Sequence, residues 1–80
     1  MTLKDAIRER VIELCASQGL NTNSLAILCG MDRSTIYSLL GNKSKSPEVA
    51  TIKKICDGLE ITIGEFFSTQ VFDQLEQEVK

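Results

Sequence analysis

The stretch Thr22 to Gly41, TNSLAILCGMDRSTIYSLLG, most constrains what this chain can become. Gly30 divides two short apolar-periodic segments, and glycine takes φ > 0 without a Cβ penalty. Before it, Leu25, Leu28 and Cys29 recur at i, i+3, i+4, the spacing of one helical face. Ala26 borders that face, and a small side chain there lets a second helix approach closely. After the glycine, Met31 is an apolar plug. Asp32 is an N-cap residue, because its carboxylate can accept the N2 or N3 backbone N–H. Ile36, Leu39 and Leu40 form the buried stripe of a second helix, about Arg33 to Leu40, which stops at Gly41. Thr35 is expected to be semi-buried beside the turn. The opposite face carries Arg33, Ser34, Tyr37 and Ser38, all hydrogen-bonding groups. A short helix with one dry face and one face of donors and acceptors suits a DNA major groove.

Helical patterning continues on both sides. A first helix is predicted over about Leu3 to Gln18, with Thr2 as N-cap and Asp5 in the first turn, where the helix dipole favours an acid. Leu3, Ala6, Ile7, Val11, Leu14 and Cys15 mark its buried face. Gly19 is a C′ residue and Leu20 the apolar contact of a Schellman-type end. Asn21 caps helix two. Asn42 to Pro47 is polar, basic and turn-rich, and Pro47 suits the start of helix four. Val49, Ile52, Ile55, Cys56 and Leu59 are that helix's buried face. Thr62 to Glu65 reads as a capping box opening a fifth helix, with Phe66 and Phe67 as apolar anchors. The expectation is an all-α, five-helix domain over residues 1–67. In the tail, 68–80, Val71, Phe72, Leu75 and Val79 fall on one stripe. Either the chain continues as an amphipathic helix, packed on its own domain or on a second copy, or the end frays.

The register of these segments resembles the phage-repressor and Cro-type (XRE, xenobiotic-response-element) helix-turn-helix DNA-binding family. GLNTNSLA, CGMDRSTIYSLL, KSKSP and TIKKICDGLEITIGEFF carry the resemblance, which spans roughly Leu3 to Phe67. It implies a compact lambda-repressor-like domain whose helices two and three form the motif, with helix three in the major groove. Function would then be sequence-specific transcriptional regulation, as a repressor binding double-stranded DNA as a homodimer. The alternative is a protein-interaction module on the same fold.

Site residues follow from the same alignment of motifs. Arg33 is the candidate base reader, since a guanidinium bonds bidentately to guanine O6 and N7; a phosphate contact or a solvated charge is the other reading. Ser34 and Ser38 match positions that touch base edges or nearby phosphates. Asn21 and Thr22 stand at the N-terminus of helix two, where unpaired N–H groups attract phosphate. Many family members have Gln where Thr22 stands, bridging phosphate and the recognition helix, and threonine is too short for that whole role. Tyr37 either meets sugar or phosphate or simply covers the helix. Asn42, Lys43 and Lys45 match a second phosphate clamp. The chain departs from the family where a helix-one Arg pairs with a Glu ending the recognition helix. Cys15 and Leu40 occupy those places, compatible with a dry contact. The usual Asn-Gly after helix three is reversed, as Gly41-Asn42.

Charge and composition narrow the function classes. Net charge is −2, but it is unevenly spread. From Arg33 to Lys54 there are five bases and one acid; from Asp57 to Lys80 there are six acids and one base. Such asymmetry suits a small DNA binder, and it also suits charges that merely solvate helix faces. The chain has no His. It has no Ser or Cys beside a recognisable base, no phosphate-cradling glycine loop and no clustered carboxylates, so an enzyme is not expected. Cys15, Cys29 and Cys56 are too scattered for a zinc site and read as small core hydrophobes. No metal, cofactor or small-molecule ligand is expected. No apolar run approaches the ~18 residues of a membrane span, and MTLKDAIRER lacks an apolar signal core, so the expected location is cytoplasmic.

Overall fold

The computed structural model describes residues 2–41 and 47–75. They form α1 (Leu3–Ser17), α2 (Thr22–Cys29), α3 (Arg33–Leu40), α4 (Val49–Leu59), α5 (Ile63–Phe67) and α6 (Gln70–Asp73). The fold is all-helical, as the sequence pattern predicts. No helix among the described residues is long and apolar enough to cross a membrane.

Local chemistry sets where each helix begins. Thr2 caps α1 and Thr62 caps α5, each with a complete capping box closed by Asp5 and Glu65 respectively. The backbone N–H and hydroxyl of Thr2 both favour the ionised Asp5 carboxyl and hold its pKa below the ordinary value. Asn21 Oδ1 accepts from Ser24 N–H at 2.8 Å, capping α2. Three helices also stop in the same way. After α1, Leu20 N–H reaches back to Cys15 O and Gly19 N–H to Ala16 O. After α2, Met31 bonds Ala26 O and Gly30 bonds Ile27 O. After α4, Ile61 bonds Cys56 O and Glu60 bonds Asp57 O. Each is a Schellman pair, and each places an apolar residue (Leu20, Met31, Ile61) against the core.

The left-handed residue at these stops is glycine twice, with φ near +67° at Gly19 and +65° at Gly30, and a glutamate once, with φ +60° at Glu60. The glycine of that third segment lies two positions earlier because packing requires it there. A Cβ on Gly58 would stand 2.5 Å from Cys29 Sγ and 3.0 Å from Cys29 Cα. The end of α4 therefore presses directly on the end of α2, backbone to backbone.

The core runs between the helices. Phe66, Leu25, Ile36, Ile55, Val11 and Cys56 are its largest fully buried side chains. Phe72 of α6 packs edge-on to Phe67 at 4.9 Å between ring centroids, and Phe66 lies 6.2 Å from it. Arg10 ties α1 to the end of α5: Nε donates to Phe66 O at 2.7 Å and Nη2 to Glu65 O at 2.8 Å, while Nη1 pairs with Glu13. One guanidinium thus bonds two carbonyls at the end of a five-residue helix, of which that of Glu65 also accepts from Ser68 N–H.

Several expectations need correction. Leu28 is not buried; it is 49% exposed, because Ala26 and Cys29 flank Leu25 on the packed side and turn Leu28 outward. Val49 is 68% exposed, since the first turn of α4 overhangs the core and burial starts at Ile52. The tail does not continue α5. The chain breaks at Ser68 and Thr69 and forms a sixth, four-residue helix. Phe72 and Leu75 are partly buried, Val71 is exposed, and Val79 lies outside the described residues.

The two positions near the end of α4 should respond to substitution with opposite signs. Gly58→Ala should cost about 1–3 kcal/mol, because the new methyl forces α4 off α2. Glu60→Gly should gain about 1 kcal/mol by relieving a left-handed Cβ. Urea melts of both variants check this pair of outcomes.

Candidate nucleic-acid interface

The exposed side of α3 is the candidate surface. Ile36 and Leu39 are buried, at 0% and 4% exposure, and fix the helix on the core. Arg33, Ser34, Tyr37 and Ser38 are all exposed, as the sequence predicts. Thr35 departs from expectation: it is exposed as well. It precedes the buried line of Ile36 and Leu39 and so widens the polar face. Asp32 occupies the N-cap position, yet its side chain makes no capping bond. Its charge acts at the start of α3 only through the helix dipole.

Both ends of α3 are held by side chains from other helices. At the N-terminal end, Arg33 Nη1 donates to Asn23 Oδ1 of α2 at 3.3 Å. At the C-terminal end, Lys4 of α1 donates its ammonium to the Gly41 carbonyl. The last turn of α3 carries no basic residue of its own. Lys4 supplies the positive charge that a helix C-terminus favours. The reach of Lys4 and Asn23 to α3 was not legible in the sequence. Helical spacing marks both as polar positions, and nothing in it tells which distant helix they reach.

The flanks are less uniform. Asn21 is exposed, but its Oδ1 is used in capping, which leaves its amide N–H groups as donors. Thr22 is half-buried and borders an apolar crevice of about 300 Å³ with Val11, Ile12, Cys15, Leu25 and Leu40 among its walls. Cys15 and Leu40 thus line one uncharged space. Asn42, Lys43 and Lys45 lie outside the described residues.

Exposed acids mark the C-terminal elements. Asp57, Glu60, Glu65 and Asp73 are exposed along the end of α4, α5 and α6. Lys53 is paired with Asp57. The thiols take no part in such chemistry. Burial pushes Cys15, Cys29 and Cys56 up from the ordinary thiol range, so they stay protonated and poorly nucleophilic. Among the described residues no three His, Cys, Asp or Glu side chains are grouped to hold a metal.

Comparison with known proteins gives two matches. Residues 10–71 match the family described as the Cro/C1-type HTH DNA-binding domain. The chain is similar to a solved structure titled "Crystal structure of the prophage Lp1 protein 11", at 31% identity and a TM-score of 0.83, over 94% of this chain and 99% of that one. No curated protein matches.

The Lys4 bond has a measurable signature. Lys4→Met keeps the aliphatic stem and removes the donor. It should speed amide exchange in the last turn of α3 and cost about 0.5–2 kcal/mol. Unchanged exchange there would mean that the bond contributes nothing.

Proposed function

The chain belongs to the Cro/C1-type helix-turn-helix DNA-binding domain family, and on that premise we propose that it is a sequence-specific transcriptional regulator. In this reading it acts as a repressor, inserts α3 in the major groove and binds as a homodimer. The observation that carries it is the division of α3. Ile36 and Leu39 anchor one side in the core, while Arg33, Ser34, Tyr37 and Ser38 stand exposed on the other. A helix so mounted offers donors to base edges without disturbing its own packing.

Arg33 reads a guanine through O6 and N7. Ser34 and Ser38, one turn apart, contact neighbouring base edges. They are short and discriminate little. Asn21, Thr22 and Tyr37 meet the phosphate backbone, with the amide of Asn21 and the N-terminus of α2 as donors. Asn42, Lys43 and Lys45 form a second phosphate clamp beyond α3. Phosphate contacts supply affinity and salt dependence, and base contacts supply sequence. The exposed acids of α4 to α6 keep that side away from a polyanion. One short helix covers few base pairs, so paired half-sites about 34–36 Å apart give useful specificity.

Selection from a randomised duplex library at two salt concentrations tests this reading. The expected result is an enriched two-fold symmetric motif whose retention falls as salt rises. Arg33→Ala should lower affinity and relax preference at one position in each half-site. Lys43→Ala should weaken all sequences alike and reduce the salt slope by about 1. Folded protein that retains no DNA at low salt would contradict the proposal and favour a protein-interaction module.

A further inference from the structure

Arg33 does not stand alone at the start of α3. Its Nη1 is 3.3 Å from Asn23 Oδ1, and both side chains are exposed. A guanidinium has five N–H donors and no acceptor, so the Asn23 amide must turn its oxygen toward it. One donor on Nη1 is thereby committed. The edge formed by Nε–H and Nη2–H is left whole, and that edge has the two parallel donors needed by guanine O6 and N7. An unrestrained arginine is long and flexible, and it presents either of its donor edges to whichever acceptor is near. Asn23 is on the first turn of α2, which is fixed to α4 through Cys29 and Gly58. The amide oxygen is therefore referenced to the core and not to α3 itself.

We propose that Asn23 is a specificity-determining positioning residue, which orients the Arg33 guanidinium from outside the recognition helix and selects its Nε–Nη2 edge for guanine. The inference rests on the DNA-binding reading above. It adds a requirement that this reading does not contain: discrimination at the base pair under Arg33 depends on a side chain of α2.

The test is a double-mutant cycle on the selected duplex and on duplexes altered at the base pair that Arg33 reads. Asn23→Ala should keep binding and move the melting temperature only slightly, since a single exposed side-chain bond adds little to stability. It should reduce discrimination at that base pair by roughly three- to tenfold, and leave every other position unchanged. In the Arg33→Ala background, Asn23→Ala should produce no further loss. Asn23→Asp, which retains the acceptor, should restore discrimination while its charge lowers overall affinity. Unchanged discrimination in Asn23→Ala, an equal loss on all sequences, or additive losses in the double variant would each overturn the positioning role alone. Wild-type protein that selects no sequence would overturn the DNA-binding reading, and this role with it.

Discussion

The approach of α4 to α2 at Gly58 and Cys29 is the constraint on which the remaining architecture depends. Two backbones meet there with no room for a Cβ. That contact fixes the C-terminal end of α2, and the tight turn at Gly30 leaves from the same place. The direction of α3 follows from the turn. Glycine at position 58 suits this spacing, and the left-handed stop of α4 falls separately on Glu60.

α3 gains its geometry from elsewhere. α3 has only eight residues, too few to be stable alone. It is held by Ile36 and Leu39 below, by the turn before it, by Asn23 at Arg33 and by Lys4 at Gly41. Its outer face lies off the core, with Arg33, Ser34, Tyr37 and Ser38 exposed there. The acidic elements, α5 and α6, serve a different purpose. The Phe66, Phe67 and Phe72 rings and the Arg10 bonds close the far side of the core.

Much of this was legible in the sequence because it is encoded locally. The capping boxes at Thr2 and Thr62, the Asn21 cap, the glycine stops and the span of α3 depend on neighbours within a few residues, and each appears where its pattern indicates. What the pattern misplaced depends on distant partners. Leu28 and Val49 obey helical periodicity, yet each lies where no second helix covers it. Thr35 is outward for the same kind of reason. The bonds from Lys4, Arg10 and Asn23 link positions far apart in the chain, and local spacing carries no information on them. Asp32 had the right residue type and place for a cap, but its side chain makes no capping bond. The surface of α3 and its buried anchors were readable from the sequence; the side-chain bonds at its two ends were not.

The central claim is that the outer face of α3, with the N-terminal turn of α2, is the surface that meets DNA. Titrating isotopically labelled protein with the selected duplex and following backbone amide resonances tests it most directly. The account predicts shifts concentrated at residues 21–24 and 33–38, with α5 and α6 nearly unaffected. Shifts centred on α5 and α6, or spread evenly with none at Arg33 to Ser38, would contradict it.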